Sequence, residues 1–455
     1  MTRSTPRPNI LRIALLVLSI LGFGSLPLAA APHDARGVTL LLQGAGPAVS
    51  SKASEETWGE YLPDAGGRLH WTGFAGYLVR QHGWRVGGVV RPRAEQVLAE
   101  HLDPMGAVPA GRADVYILAS SLPAQEDGFD SRARELASAV AMLRSLTGAR
   151  QIRLVAYSAS GVAARIWMQG GLENQPYPPG SVDRLICVAT PHLGVGTLAR
   201  PAAWFWRRYG PLAPDSDALN RINRHLALPP DVRFIDVVIQ SSAAPLVDSG
   251  RSYRPYVRLP ETQVRGLPPL LRTGHDGVVH VLSAQLHLAP TAARYENETD
   301  QPIQVVVCTP PAGPGDDVRD LTLHTLALHD PSVWQTLWAV LNKPAGDEDA
   351  AWRERAAATR SEWTRQIVRH LAATAVQRRH PTGRIGATEI VRCEITERGA
   401  YGLGCAWQTQ CETVVPRLFR DPDSRTCDVT GSLMLDFDRF QRPVALRESA
   451  VAVSE

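Results

Sequence analysis

The most informative segment of this chain is Ile152-Arg153-Leu154-Val155-Ala156-Tyr157-Ser158-Ala159-Ser160-Gly161. Its apolar first half predicts a buried strand, and a helical pattern follows it. A sharp strand-to-helix turn can hold a serine in a strained backbone conformation, with its hydroxyl above the sheet. Ala156 and Ser160 are small enough for such a turn, although glycine is usual at both positions. Ser158 is therefore a candidate nucleophile, and the alternative is an ordinary turn or helix-capping serine.

Size and charge narrow the class of protein. The chain has 455 residues, enough for one large domain and a smaller one. Its formal net charge is +3, so the charge balance gives no indication of a nucleic-acid partner.

The N-terminus has the layout of a secretory signal peptide over residues 1–31. Arginines precede an uncharged apolar stretch at 13–23, and small residues end the segment at Ala29, Ala30 and Ala31. The alternative is an uncleaved membrane anchor over residues 13–31, but Gly22, Gly24 and Pro27 disfavour a stable helix there. We therefore expect an exported protein, periplasmic or secreted.

Apolar runs alternate with helical patterns along the first three quarters of the chain. This alternation predicts an α/β fold with a mostly parallel sheet and helices on both faces. Ligands of such sheets bind at the carboxyl ends of the strands, where Ser158 falls. The predicted strands are Val38–Leu42, Arg85–Val90, Val115–Leu118, Ile152–Ala156, Arg184–Ala189, Phe234–Ile239 and Ile303–Val307, with helices over Phe74–Gln81 and Arg132–Leu146.

Two further regions follow from changes in composition. A cap or lid insertion is predicted over about 194–232, where Trp204, Phe205 and Trp206 would shape an apolar pocket; ordinary cap packing is the alternative for these aromatic residues. The catalytic domain is predicted over 32–345. Residues 346–455 are predicted to form a helical segment and a small β-rich module.

Export permits disulfide bonds. Of the six cysteines, Cys187 and Cys308 lie in apolar strand patterns and are expected to be buried thiols. The other four cluster near the C-terminus without a C-x-x-C spacing, which favours two disulfides over a zinc site. The sequence leaves their pairing open: Cys393, Cys405, Cys411 and Cys427.

Several further motifs occur in a recognisable order. They are Gln43-Gly44-Ala45-Gly46 after the first strand, Thr190-Pro191-His192-Leu193-Gly194 after a later one, His275-Asp276-Gly277-Val278-Val279, and Leu323-His324-Thr325. Together with the serine turn, they resemble the lipase and esterase branch of the α/β-hydrolase fold, including bacterial triacylglycerol lipases and inositol-deacylase-like hydrolases. The resemblance spans about residues 38–340.

The resemblance implies a catalytic triad of Ser158, Asp276 and His324, in the chain order that hydrolases of this fold use. His324 would take the proton of the serine, and Asp276 would orient the imidazole. His329 and Asp248 are the alternatives for base and acid. An Asp-Gly turn without catalytic function is the other interpretation of Asp276.

The resemblance also implies an oxyanion hole made of backbone N–H groups. One donor would be the N–H of Ala159, and the other that of Gly44 or Ala45. Gln43 stands where the family commonly has histidine. His192 is expected to be structural. A metal site of His192, His275 and His280 lacks ligand spacing, so no metal or cofactor is expected.

The sequence therefore predicts an exported serine hydrolase that cleaves carboxylic esters of acyl lipids, with contact to a membrane surface through the lid. Two alternatives stay open. An acyltransferase would use the same triad, and a binding protein could have an inactive hydrolase scaffold.

Overall fold

The computed structural model describes residues 37–44, 57–93, 98–103, 113–119, 129–195, 210–213, 216–240, 283–308, 310, 327–342, 384–397, 402–415, 423–437 and 442–454. It also describes positions 276, 279 and 324 and short stretches between 360 and 380.

The centre of the protein is an eight-stranded sheet in the order β5-β4-β6-β1-β7-β8-β9-β10. All neighbouring pairs are parallel except the edge pair β4 and β5. A separate hairpin contains β2 and β3. The strands are β1 Val38–Leu42, β2 Tyr61–Pro63, β3 Leu69–Trp71, β4 Val86–Arg93, β5 Leu98–Asp103, β6 Val115–Leu118, β7 Ile152–Tyr157, β8 Val182–Val188, β9 Arg233–Ile239 and β10 Gln304–Cys308.

Helices cover both faces of this sheet, because its central strands are apolar on both sides. In β1, Leu40 and Leu42 pack with one buried cluster and Leu41 with the other. The first cluster includes α2, α3 and α5, and the second includes α1 and α6. The helices are α1 Gly73–His82, α2 Asp130–Thr147, α3 Ala159–Met168, α4 Asp217–Asn220, α5 Pro290–Thr299 and α6 Pro331–Leu341.

The predicted α/β fold, with a mostly parallel central sheet and helices on both faces, is confirmed. The seven predicted strands of the sheet are all present, two of them with the predicted bounds and the other five with bounds within three residues of the prediction. The antiparallel edge strand β5 and the β2–β3 hairpin were not predicted, since neither has a clear alternation of apolar and polar residues. The 32–345 domain boundary stays a prediction.

The later part of the predicted lid insertion belongs to the core. This part contains three short helical turns, Gly210–Leu212, Asp217–Asn220 and Arg221–His225. Its apolar side chains pack in the cluster of α2 and α3: Leu212, Leu219, Ile222 and Leu228. Residues 196–209, with Trp204, Phe205 and Trp206, lie outside the described residues, so the lid stays a prediction.

A second, antiparallel sheet occupies the C-terminal part, in the order β11-β12-β13-β14. Its strands have 12 to 15 residues each and pair in chain order: β11 Arg384–Glu397, β12 Gly402–Val415, β13 Asp423–Phe437 and β14 Pro443–Ser454. Helical residues between 360 and 379 precede it. The sheet runs from Arg384 to Ser454, inside the region 346–455 for which the sequence predicts a helical segment and a β-rich module.

All six cysteines are free thiols in this structure. Cys187 and Cys308 are buried, as expected. In the C-terminal sheet, the Sγ atoms of Cys393 and Cys405 lie 3.1 Å apart, and Cys411 faces Cys427 on the neighbouring strand. The two predicted disulfides stay a prediction.

The predicted signal peptide, residues 1–31, lies outside the described residues. Among the residues that the structure describes, no helix is both long enough and apolar enough to cross a bilayer.

A buried ion pair joins the C-terminal part to the part of the chain that forms the parallel sheet. The guanidinium of Arg442 donates to both carboxylate oxygens of Glu296 on α5, at 2.7 and 3.1 Å. It also donates to the carbonyl of Ile303 just before β10, at 3.4 Å. Both charged side chains are about nine-tenths buried, so each stabilises the charge of the other where water cannot.

Replacing Arg442 with methionine removes the cation beside a buried carboxylate. We expect Arg442→Met to lower the free energy of unfolding by about 3 kcal/mol, measured by urea denaturation. The double variant with Glu296→Leu should recover more than half of this loss, because no buried charge is left behind. Equal instability of the single and double variants would contradict the interpretation.

Candidate active site

Ser158 lies at the turn between β7 and α3 and has a strained backbone. Its φ and ψ are 55° and −130°, a combination that costs of order 1–3 kcal/mol for a residue with a side chain. The turn is held because the Ser158 N–H donates to the carbonyl of Val188 at 2.8 Å. The hydroxyl consequently stands at the carboxyl edge of the sheet, at the N-terminus of a ten-residue helix.

The glycine that this turn requires is Gly161. A Cβ at position 161 would lie 2.3 Å from the Oγ1 atom of Thr190, which begins the turn after β8. Ser160, where glycine is usual, instead donates its hydroxyl to the carbonyl of Gln43. The departure from Gly-x-Ser-x-Gly therefore creates a contact to the loop after β1, a role that sequence reasoning missed.

The structure brings Ser158, His324 and Asp276 together. The His324 Nε2 atom lies 2.9 Å from the Ser158 hydroxyl oxygen, and its Nδ1 atom lies 2.7 Å from an Asp276 carboxylate oxygen. Asp276 is 1% exposed and His324 is 6% exposed. With a carboxylate acceptor at Nδ1, the imidazole keeps its proton there and offers Nε2 to the serine.

Backbone and aromatic contacts fix the imidazole further. The His324 N–H donates to the Asp276 carbonyl at 2.8 Å. The Tyr157 hydroxyl donates to the carbonyl of His324, and the two rings have centroids 5.1 Å apart. Burial, and to a lesser extent the charge of Asp276, raises the pKa of Tyr157 well above 10, which keeps the hydroxyl a donor. Sequence reasoning missed Tyr157, since a tyrosine in an apolar strand looks like core.

Of the two alternatives for base and acid, the structure describes only His329. His329 is exposed in a short helical turn next to α6, away from the hydrogen bonds that link Ser158, His324 and Asp276. Asp248 lies outside the described residues, as do His275 and His280.

The loop after β1 approaches the serine closely. A Cβ at Gly44 would lie 2.7 Å from the Tyr157 ring and 3.1 Å from the Ser158 Cβ atom. The buried guanidinium of Arg132 on α2 donates to the Gly44 carbonyl at 3.2 Å. Ala159 is the first residue of α3, where backbone N–H groups have no partner within the helix. Ala45 lies outside the described residues.

Behind the serine, the fully buried Arg165 ties α3 to the neighbouring loops. Its guanidinium contacts the Nδ1 atom of His192 at 3.3 Å and donates to Asn223 Oδ1 at 2.8 Å. His192 Nε2 lies 3.0 Å from Asp236 Oδ1 on β9, and Asp236 Oδ2 accepts from the N–H of Leu286 at 2.7 Å. This network is consistent with the structural role that the sequence predicted for His192.

The pKa values of Arg165 and His192 agree with the donor and acceptor roles in this network. Burial lowers the pKa of Arg165 to about 10, so the guanidinium stays charged at neutral pH. Burial also lowers the pKa of His192 below 6.5, against the opposing effect of Asp236. A neutral His192 can accept at Nδ1 from Arg165 and donate from Nε2 to Asp236.

Cys187, His192 and Asp236 offer ligand atoms within 4.8 Å of one another, as a metal site would. Their environment does not fit a metal ion. The Arg165 cation already contacts the His192 ring, and burial raises the pKa of the Cys187 thiol well above 9, which disfavours the thiolate that a metal needs.

Comparisons with known proteins add little beyond the fold. No family model and no curated protein matches the chain. The similar solved structures include the following two, each at 13% identity. The product of the lin2722 gene of Listeria innocua has a TM-score of 0.39, over 69% of this chain and 96% of that one. Phospholipase PlaB of Legionella pneumophila has a TM-score of 0.36, over 80% of this chain and 66% of that one. At these values neither likeness indicates an activity.

Because position 161 has no room for a Cβ, we expect Gly161→Ala to displace the serine turn. Overpacking of this kind costs about 1–3 kcal/mol of folding stability, which thermal or urea unfolding would measure. We also expect a fluorophosphonate to label Ser158 more slowly in this variant. Adding Thr190→Gly removes the clashing atoms and should restore most of the stability. A Gly161→Ala variant as stable as the parent would show that the helix can move away freely.

The network also predicts a pH dependence of stability. Since folding lowers the pKa of His192 below 6.5, the unfolded chain binds a proton below pH 6.5 that the folded protein does not bind. The free energy of unfolding should therefore fall between pH 7 and pH 5, by at most about 1.4 kcal/mol per pH unit for this proton.

His192→Gln should flatten this slope, and His329→Gln, at an exposed histidine, should leave it unchanged. Parallel pH profiles for the parent and His192→Gln would contradict a neutral buried His192.

Proposed function

We propose that this protein is an exported serine hydrolase that cleaves carboxylic esters of acyl lipids through an acyl-enzyme. The observation that carries the proposal is the unbroken hydrogen-bonded series from the Ser158 hydroxyl through both nitrogens of His324 to the Asp276 carboxylate, at 2.9 and 2.7 Å. A free serine hydroxyl is a poor nucleophile, and an adjacent oriented imidazole is what activates it.

In the first half-reaction, the Ser158 oxygen attacks the ester carbonyl carbon while His324 Nε2 takes the hydroxyl proton. The resulting imidazolium is stabilised by the Asp276 carboxylate. The tetrahedral intermediate then collapses and its C–O bond to the alcohol breaks. The departing alcohol takes the proton from His324, and the acyl group stays on Ser158. Water repeats the sequence and releases the carboxylic acid.

The developing oxyanion needs backbone donors, each worth roughly 3 kcal/mol. We assign one to the N–H of Ala159 and the second to the Gly44 or Ala45 N–H. The N-terminal end of α3 supports the first assignment, because the helix dipole also favours negative charge there. The close approach of Gly44 to Ser158 supports the second.

The lipid character of the substrate and the location are also part of the proposal. The predicted lid aromatics Trp204, Phe205 and Trp206 would bind acyl chains and contact a membrane surface. The N-terminal 31 residues would direct export. An inactive scaffold is disfavoured by the intact geometry of Ser158, His324 and Asp276.

The central test is the loss of ester hydrolysis in Ser158→Ala. We expect turnover of p-nitrophenyl acyl esters to fall to background, with unchanged circular dichroism. Asp276→Asn should lower kcat by about 10⁴, because an amide favours the wrong imidazole tautomer. His329→Gln is the control and should keep full activity. Turnover that survives in Ser158→Ala, or a wild-type serine that a fluorophosphonate does not label, would contradict the proposal.

A further inference from the structure

We propose that the C-terminal part of the chain, from residue 360 onward, is a positioning element for the catalytic acid, and that Val279 transmits this effect to Asp276. The inference rests on the proposed function and adds a role for a region whose sequence carries no catalytic motif.

Asp276 is held by two hydrogen bonds to the backbone of Val279. The Val279 N–H donates to Asp276 Oδ1 at 2.7 Å, and the Asp276 N–H donates to the Val279 carbonyl at 3.1 Å. The other carboxylate oxygen, Oδ2, is thereby left for the imidazole of His324 at 2.7 Å. The position of Val279 therefore determines where the carboxylate points.

The side chain of Val279 is 1% exposed and belongs to a buried apolar cluster, here called the C-terminal cluster. From the catalytic domain, this cluster contains Val279, Ala284 in the same loop, Val238 of β9 and Val305 of β10. Its remaining buried members all come from the C-terminal part: Ile367, Val368, Ala372, Val376, Leu403, Cys405, Trp407, Cys411, Cys427, Val429, Leu433, Leu435 and Phe437. The acid-bearing turn is thus packed in a core that the C-terminal part largely supplies.

An ion pair also attaches the C-terminal part to the catalytic domain. The Arg442 and Glu296 ion pair connects the loop before β14 with α5, and Arg442 also reaches the carbonyl that precedes β10. The C-terminal part is consequently tied to the catalytic domain by both apolar burial and a bidentate ion pair. Such a double attachment suits a positioning role better than a loosely linked docking module.

The exposure pattern of the four-stranded sheet supports this role. Its apolar side chains, such as Leu403 and Leu435, are buried in the C-terminal cluster, whereas Ala406, Thr430 and Ser432 are exposed. The apolar face is therefore already used within the chain.

The test is a double-mutant cycle between Val279 and Asp276. Val279→Ala leaves a gap behind the turn, and we expect kcat for p-nitrophenyl acetate to fall by about tenfold with KM within twofold, since small misplacements of reacting groups are costly. In the Asp276→Asn background, Val279→Ala should alter kcat by less than twofold, because the carboxylate that Val279 positions is already absent.

Val140→Ala is the matched control. Val140 is equally buried, at 1% exposure, but lies on α2 in a different cluster. It should lose comparable stability and keep kcat within twofold. On the C-terminal side, Ile367→Ala combined with Val368→Ala should reproduce the effect of Val279→Ala, including its disappearance in Asp276→Asn.

A readout that needs no activity separates this inference from the proposed function. The Nδ1 proton of His324 held by Asp276 gives a downfield proton NMR resonance that Asp276→Asn removes. We expect Val279→Ala to weaken or broaden this signal and Val140→Ala to preserve it. An unchanged resonance in Val279→Ala, or an equal kcat loss in both backgrounds, overturns the inference. If the resonance is lost in Val279→Ala but the wild-type protein hydrolyses no ester, only the proposed function is overturned.

Discussion

The strained backbone at Ser158 is the constraint on which the rest of the candidate active site depends. A residue with φ near 55° and ψ near −130° persists only where its surroundings over-determine it. Here β7 is paired on both sides, by β1 and β8, and the Ser158 N–H is bonded to the Val188 carbonyl. The absence of a side chain on Gly161 lets α3 start directly against Thr190. Together these restraints hold the Ser158 hydroxyl beside the Nε2 atom of His324.

The parallel sheet explains how residues 118 and 48 positions apart in the chain meet at one point. Parallel strands end at the same edge, so the loops after β7, β9 and β10 converge there. Ser158 follows β7, Asp276 lies beyond β9 and His324 beyond β10. The hydrogen bond from the His324 N–H to the Asp276 carbonyl then joins the two later loops directly. The side-chain contact between acid and base is thus backed by a backbone contact that survives rotamer changes.

The sequence predicts the parts of this structure that depend on local pattern or chain order. Buried parallel strands are continuous apolar runs, so all seven predicted strands were found, and the order of serine, acid and histidine pointed to three side chains that the fold brings together. The supporting groups could not be predicted. Arg132 and Arg165 look like surface residues of amphipathic helices, and only the fold buries them beside the Gly44 carbonyl and His192. Long-range partners of a buried charge leave no periodic signal in the sequence.

The edge of the sheet formed by β9 and β10 gives a physical reason why the C-terminal part packs against the sheet. A parallel sheet must be covered on both faces. The strands β9 and β10 lie at the opposite edge of the sheet from β4 and β5, against which α2 packs. On the α2 side of these strands, Val238 and Val305 pack with the C-terminal part of the chain. Asp276 follows β9 in the chain and His324 follows β10. Val279, whose N–H donates to Asp276, is buried in the same cluster as Val238 and Val305, so burial of the last strands and orientation of Asp276 depend on a single contact surface.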